Sequence, residues 1–453
     1  MMRLCVLFLC VIGAAAQAPN DQLAREVLKE LVEIDTSKTT GGHRKAAEML
    51  AARLRAAGFS EEDVRLIGPG EKRNLVVRYR GRSADKPILL MAHIDVVEAL
   101  REDWTLEPFQ LTEKDGFFYG RGTDDNKAGV AAIVVSLIQW KQEGFTPSRD
   151  LWALLTYDEE SDAEGIQWLL ANLPAVKQAA FALNTDGGGG LIRDGKHVAL
   201  FVQTSEKSYA DYEWKATDAG GHSSQPRPVD NPIYRLGEAL ARLEKYSFPA
   251  SLNETTQQSY AARARLEKPE YRPLLESVGT GKLDPQVLKK LSAVPRFNAT
   301  LRTTCVATQI SGGHAPNALP QMAKANVNCR ILPQEDLKAL KARLRELAGP
   351  KVTMTVVQAP ETSPVAPLSP EVMQAIEKVT AELFPGAAVI PSMSAGASDG
   401  SYLKRVGIPV YGVSALFGEE DENRAHGRDE RIRVKEYYNS IEHWDRLVKA
   451  VAK

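Results

Sequence analysis

Residues 87–97 read PILLMAHIDVV. Six apolar residues follow a charged stretch and end on a His-x-Asp pair. A short, continuous apolar run of this kind predicts a strand buried on both faces. The pattern recurs along the chain. The apolar run 151–156 is followed by Tyr157-Asp-Glu-Glu-Ser-Asp162, and the run 180–183 by Asn184-Thr-Asp186 and four glycines. A further run lies at 408–413. Segments 129–142, 163–172 and 434–451 carry helical spacing with an apolar face. Strands alternating with helices predict an α/β fold, a mostly parallel sheet with helices on both faces.

The middle of the chain has another rhythm. Strand-like 209–217 precedes a helix over 231–246. Strands at 305–310 and 322–331 flank a turn, then come a helix at 335–347 and a strand at 352–357. The order β-α-β-β-α-β is the split, ferredoxin-like unit. It lies between two blocks of α/β pattern, which predicts an inserted domain over 209–360 between catalytic parts 19–208 and 361–453. An extra segment, about 248–299, holds helix-like pieces such as 284–291. Residues 359–370, with four prolines, read as the return linker.

Lys plus Arg is 57 and Asp plus Glu is 58, a net charge of −1. That balance leaves no electrostatic footprint for nucleic acid. Apolar content of 43% excludes a disordered chain. At the N-terminus, Arg3 precedes an apolar run from Leu4 to Ala16, with small residues at Ala14, Ala16 and Ala18. This is the layout of a cleavable signal peptide over 1–18. The run is too short for a membrane span, which takes about 20 apolar residues. The expected mature protein is therefore secreted or periplasmic, with no stable membrane association. Cys5 and Cys10 leave with the leader. Cys305 and Cys329 remain, in strand-like segments flanking a turn. They could face each other across an antiparallel pair, and an oxidising compartment permits them to join.

Four motifs sit just past predicted strands, where open α/β sheets bind ligands. His93-Ile-Asp95 puts two side chains on one side of an extended segment. In Gly120-Arg-Gly-Thr-Asp-Asp-Asn-Lys-Ala-Gly129, both Asp124 and Asp125 are candidate ligands, and the spacing fits no phosphate loop. In 158–162, four acids in five residues would repel one another without a cation or a helix N-terminus nearby. Glu159 and Glu160 point in different directions, so one can hold a metal while the other reaches a water. Asp186 closes a strand before the glycine run. A polar loop, Arg424-Ala-His426-Gly-Arg-Asp-Glu430, adds a second histidine. The four at 43, 197, 314 and 443 lie in helix-like segments or near loops and read as structural or solvated. Taken singly, each motif has an ordinary reading: a surface polar pair at 93–95, a helix N-cap loop at 120–129, an acidic solvated helix start at 158–162 and a turn after Asp186. Together they supply two histidines and at least three carboxylates without cysteine. That donor set suits zinc, with cobalt or manganese as substitutes. Two ions sharing a carboxylate would activate a water and polarise a carbonyl.

HIDVV at 93–97, GRGTDDNKAG at 120–129, DEES at 158–161, GHSSQP at 221–226, NALP at 317–320 and the His426 loop resemble the di-zinc exopeptidase and amidohydrolase family. That family includes carboxypeptidase S, carnosinase, aminoacylase and succinyl-diaminopimelate desuccinylase. The resemblance covers nearly all of the mature chain and is greatest to the carboxypeptidase S branch. It implies a zinc-exopeptidase catalytic domain with an inserted ferredoxin-like lid. It also implies roles. His93 and Asp186 would hold one zinc, Glu160 and His426 the other, and Asp125 would bridge both. Glu159 would be the general base and Asp95 would orient His93. His222, on the lid, would stabilise the oxyanion. Asn317 and Arg330 would contact the substrate's backbone or carboxylate. The implied substrate is a short peptide cleaved beside a free carboxylate, or alternatively an N-acyl amino acid. A homodimer through the lid is one arrangement in which His222 acts across subunits. Two departures stand out: DEES lacks the glycine often found soon after the paired glutamates, and Asp186 sits where some members carry Glu.

Two other readings compete. Gly396-Ala-Ser398-Asp-Gly400 matches the G-x-S-x-G of serine hydrolases, with Asp421 and His426 following in order. That elbow needs a strand before it, and Pro391 interrupts the approach. A non-catalytic peptide-binding protein on the same scaffold would lack a ligand or the base, and here all are present.

Overall fold

The structure, a computed structural model, describes residues 19–228 and 231–453. The leader expected over 1–18 lies outside the described residues. The apolar run at 87–92 becomes the inner part of strand Ser83–His93, buried from Ile88 to His93. Eight strands form one sheet in the order Val64–Ile67, Asn74–Tyr79, Arg149–Thr156, Ser83–His93, Phe181–Arg193, Val410–Gly418, Lys196–Glu206, Ala388–Ser394. The four strands from 149–156 to 410–418 run parallel. The first two strands are antiparallel additions.

Strand side chains alternate between faces, and both faces are covered. Ile88, Leu90 and Ala92 pack with Leu28, Leu50, Val134 and Trp444, from helices Pro19–Val32, His43–Ala56, Lys127–Glu143 and Val434–Val451. Leu89 and Met91 pack the other way, with Ile166, Leu169 and Leu403 from helices Glu164–Asn172 and Gly400–Arg405. A sheet apolar on both sides explains why its strands show continuous runs rather than alternation. His443 belongs to this packing: it is buried beside the Thr380 hydroxyl, and burial pushes its imidazole down to about 4.

A second sheet is wholly antiparallel, in the order Thr304–Gly312, Met322–Ile331, Ser208–Thr217, Thr353–Gln358. Helices Pro232–Lys245 and Leu337–Ala348 cover one face, with Leu236, Leu243, Leu340 and Leu344 against Tyr212, Trp214 and Val327. This is the ferredoxin-like lid. The extra segment forms helices Glu254–Arg263, Arg272–Gly279, Pro285–Ser292 and Pro295–Leu301. They share a small core of Tyr260, Leu275, Val278, Leu291, Phe297 and Leu301. The segment leans on the catalytic sheet, not only on the lid. Helix Glu254–Arg263 packs against strand Ala388–Ser394, and the hydroxyls of Thr255 and Thr204 lie 2.7 Å apart. Among the described residues no helix is long and apolar enough to cross a membrane.

Cys305 and Cys329 are register partners on neighbouring lid strands and form a disulfide. Their sequence separation of 24 residues corresponds to about 3.5 kcal/mol of lost unfolded-state entropy. Cys329→Ser is therefore expected to destabilise the protein by about that amount. Thermal melts of wild type and variant under oxidising conditions check it, and coincident curves would count against a stabilising bond.

Two sequence expectations need correction. The glycines after Asp186 do not form a turn: strand Phe181–Arg193 runs straight through them and returns as Lys196–Glu206. Glycine is required because the neighbouring strand comes close. A Cβ on Gly190 would sit 2.2 Å from the Phe417 ring, and Gly188 has φ +83° with a Cβ position 2.8 Å from the Gly412 carbonyl oxygen. Pro391 likewise does not interrupt a strand. It lies within Ala388–Ser394 at the edge of the sheet, where a missing N–H is tolerated.

Candidate metal centre

The ends of strands Ser83–His93 and Arg149–Thr156 and the middle of strand Phe181–Arg193 deliver His93, the 158–162 loop and Asp186 to one place. The start of helix Lys127–Glu143 brings Asp125, and the loop before strand Arg431–Arg433 brings His426. The two carboxylate oxygens of Asp125 face different histidines. Oδ1 lies 2.9 Å from His93 Nε2 and Oδ2 3.1 Å from His426 Nε2. His426 Nε2 also lies 3.0 Å from Glu160 Oε1. Three groups bring their donor atoms within 4.8 Å of one another: His93, Asp125 and Asp186; His93, Glu159 and Glu160; Asp125, Glu160 and His426. The question left open between Asp124 and Asp125 is answered by position. Asp124 belongs to none of these groups.

The electrostatics are those of a cluster short of positive charge. Burial, then the charges of Asp125 and Glu160, push Asp186 up to about 7. Burial and Asp186 raise Glu159 well above the usual carboxylate range. Asp125 and Glu160 lift His426 to about 10. Burial would lower the His93 imidazole, but Asp125 and Asp95 outweigh it and raise it. Burial would likewise raise Asp125, yet the two imidazoles hold it below its ordinary value. Protons thus stand on the imidazoles where the donor atoms converge. A mixed nitrogen and oxygen set with a shared carboxylate is one that divalent zinc, cobalt or manganese accepts. The residues fit a pair of such ions.

Asp95 does more than face His93. Its Oδ1 lies 3.5 Å from His93 Nδ1, while the Asp95 backbone carbonyl is closer, at 3.0 Å. Its carboxylate accepts the N–H groups of Glu159 (3.1 Å) and Glu160 (3.0 Å). One buried carboxylate therefore fixes the loop that carries both glutamates.

Glu430 was not singled out from the sequence, although it closes the His426 loop. Fully buried, it accepts N–H bonds from Gly122 (3.0 Å), Asp124 (2.8 Å) and Asp125 (3.0 Å) and pairs with Arg121 at 2.8 Å. It ties the Asp125 loop to the His426 loop. Glu430→Ala leaves Arg121 buried without its partner and should cost about 3–5 kcal/mol. Urea unfolding checks this, and a loss under 1 kcal/mol would mean that the tie is dispensable.

Other expected residues lie elsewhere. His222 is exposed on a two-stranded lid ribbon, paired with Ala318, and its Nδ1 accepts the Ser224 N–H at 3.1 Å. The Asn317 carbonyl accepts the neighbouring Ser223 N–H. Arg330 lies over the Tyr209 ring, 4.8 Å from its centre. None of the three lines the cleft of about 500 Å³ that reaches Asp125 and Asp186.

Ser398 does have a strand before it and helix Gly400–Arg405 after it. Its hydroxyl donates to Glu206 at 2.9 Å, and Glu206 pairs with Lys404 at 2.6 Å. His426 is committed to Asp125 and Glu160, so the histidine that a serine-hydrolase triad needs does not serve this serine.

Residues 89–450 match the family model described as Peptidase family M20/M25/M40. The chain is 30% identical over 366 residues to the human N-fatty-acyl-amino acid synthase/hydrolase PM20D1, covering 79% of this chain and 72% of that protein. It is 27% identical to the probable carboxypeptidase S-like 2 of Dictyostelium discoideum, covering 84% and 75%. Two solved structures share the fold. The M20 metallo-carboxypeptidase Sso-CP2 of Sulfolobus solfataricus has a TM-score of 0.71 at 19% identity, covering 95% and 99% of the two chains. Human carnosine dipeptidase 1 has a TM-score of 0.67 at 16% identity, covering 96% and 97%. The family match thus spans the strands, loops and lid that build this cluster, and the chain belongs to the M20/M25/M40 peptidase family of metal-dependent hydrolases.

Proposed function

We infer that the protein hydrolyses an amide bond next to a free carboxylate in short peptides, as a carboxypeptidase or dipeptidase. The observation that carries this reading is the Asp125 carboxylate facing His93 and His426 through separate oxygens, with Glu159 alongside. His93, Asp125 and Asp186 would hold one zinc ion, and Asp125, Glu160 and His426 a second. When bound, the ions polarise the scissile carbonyl and acidify the attacking water.

The chain's own residues do the rest. Glu159 takes the proton from the attacking water and passes it to the leaving nitrogen. Asp95 positions Glu159 and Glu160 through their backbone N–H groups and backs His93. His222 donates to the oxyanion after the lid closes or from a second copy in a homodimer. Asn317 and Arg330 contact the substrate's backbone or free carboxylate, and for a carboxylate the guanidinium offers two parallel bonds. The leader reading supports export as the setting.

A second reading has its own support: the human relative is named for N-fatty-acyl-amino acids, which carry the same amide beside the same carboxylate. A panel of dipeptides and N-acyl amino acids, offered to the zinc-loaded protein with and without chelator, tests both. Chelator-sensitive hydrolysis is expected, and the preferred half of the panel separates peptidase from acylase. Zinc bound with no turnover of any member would overturn the reading.

A further inference from the structure

The cleft that reaches Asp125 and Asp186 is not closed by the catalytic domain alone. Its far wall comes from the extra helical segment, which contributes Arg263, Leu266 and Arg296. A volume of about 500 Å³ is that of a small-molecule pocket. The glycines at 187–190 form part of its lining, and Phe201 and Phe417 add apolar walls.

The arginines around this cleft differ in one respect. Arg296 pairs with Glu267 at 2.6 Å and with Glu420. Arg433 pairs with Glu422 at 2.7 Å. Arg431 donates to the Tyr119 hydroxyl at 2.8 Å. Arg193 donates to the Leu266 carbonyl. Arg263, like Arg431, has no carboxylate within ion-pair distance among the described residues, but where Arg431 has the Tyr119 hydroxyl, Arg263 donates no hydrogen bond. Its guanidinium lies over the Phe201 ring, 4.3 Å from the centre, and its Nε is buried without a hydrogen-bond partner. The acids whose charges act on it, Glu267 and Glu420, are both paired with Arg296, and Glu420 also with Arg193.

The position is built. Arg263 ends helix Glu254–Arg263, where the helix dipole favours a cation. Asn253 and Thr256 close a capping box at the other end of that helix, and Thr255 meets Thr204 of the catalytic sheet. A half-buried guanidinium whose Nε is sealed off without a partner gains from an anion that arrives to pair with it.

We propose that Arg263 is a specificity-determining residue that receives a carboxylate on the acyl side of the substrate, so that the enzyme favours dicarboxylic acyl groups or an acidic N-terminal residue. The assignment to the acyl side rests on the hydrolytic reading above, in which lid residues hold the other carboxylate. It argues against a long hydrocarbon chain in this cleft.

The test uses the zinc-loaded protein and L-phenylalanine and L-alanine conjugates of succinate, glutarate, butanoate and pentanoate, together with glutamyl dipeptides. The readout is the kcat/KM ratio of each diacid conjugate to the neutral conjugate of equal length. A charged hydrogen-bonded pair should give about tenfold or more in wild type. Arg263→Gln should bring the ratio to near one, and Arg263→Lys should keep part of it. A preference for glutamyl over glutaryl identifies an acidic residue as the natural group. A wild-type ratio near one, or a ratio unchanged in Arg263→Gln, overturns the proposal. So does a uniform rise in KM for neutral and acidic conjugates alike, which would place the common carboxylate at Arg263. Calorimetric binding of free glutarate against pentanoate separates this inference from the hydrolytic reading. Tighter glutarate binding that Arg263→Gln abolishes supports it even if no conjugate is cleaved. Equal binding of the two acids, in a protein that cleaves neutral conjugates, defeats it while leaving that reading intact.

Discussion

Glu159→Gln is expected to lower kcat by about 10²- to 10⁴-fold, the usual worth of a positioned general base, while metal content stays at the wild-type level. Glutamine keeps the size and the backbone N–H that Asp95 accepts at 3.1 Å, so the loop should hold its place. What it loses is the oxygen that takes a proton. The neighbouring residue predicts a different signature. Glu160 Oε1 lies 3.0 Å from His426 Nε2, within the group that also contains Asp125. Glu160→Gln should therefore lose bound metal as well as rate. Atomic absorption on the two purified variants, beside single-turnover rates, separates the roles. Wild-type turnover in Glu159→Gln would remove it as the base. Metal loss in Glu159→Gln instead of Glu160→Gln would mean that the two assignments are reversed.

The sequence exposes the parts of this arrangement that depend on local pattern. Buried strands show as apolar runs because both faces are covered, and His93, the 158–162 acids and Asp186 each follow such a run directly. The adjacent pair Asp124 and Asp125 was not separable that way. Which carboxylate faces the histidines depends on the loop path between Gly122 and Lys127, which Glu430 fixes from more than 300 residues away. The strand through the glycines at 187–190 was hidden for a related reason. Glycine signals a turn locally, and only the close approach of Gly412 and Phe417 explains it here. Pro391 misled in the same way, since edge position is a property of the sheet. Arg263 gave no local signal at all. A lone arginine at the end of an amphipathic helix becomes informative only when the cleft and its missing partner are both in view.

Removing the metal should leave a protein whose stability falls as pH rises from about 4 to about 8. In the metal-free fold, burial and neighbouring acids push Asp186 up to about 7, and burial pushes Asp124 and Asp399 up to about 8. In the unfolded chain such groups titrate near 4. Across that interval the folded state binds more protons than the unfolded one, so stability decreases with pH. His426, raised to about 10, extends the same trend above the ordinary imidazole value. Asp125 works the other way: its carboxyl is held below its ordinary value, so its contribution is present above about pH 4 and lost on acidification. Divalent ions remove the reason for the protons on Asp186 and on the two imidazoles, which belong to the metal-holding groups. Carboxylates ionise and imidazoles lose their charge on binding, so metal uptake releases protons and strengthens with pH. At free ion about 100 times Kd, each site adds roughly 2.7 kcal/mol. The gap in melting temperature between zinc-loaded and chelator-treated protein should therefore widen from pH 5.5 to 8. Asp125→Ala, which takes a donor from both sites, should close most of that gap. Melting curves across this range check the prediction, with proton release on zinc addition measured in weak buffer. A metal-free protein whose melting temperature rises over the interval, or zinc binding without proton release, would show that Asp125, Asp186 and the two imidazoles do not share the charge of one site.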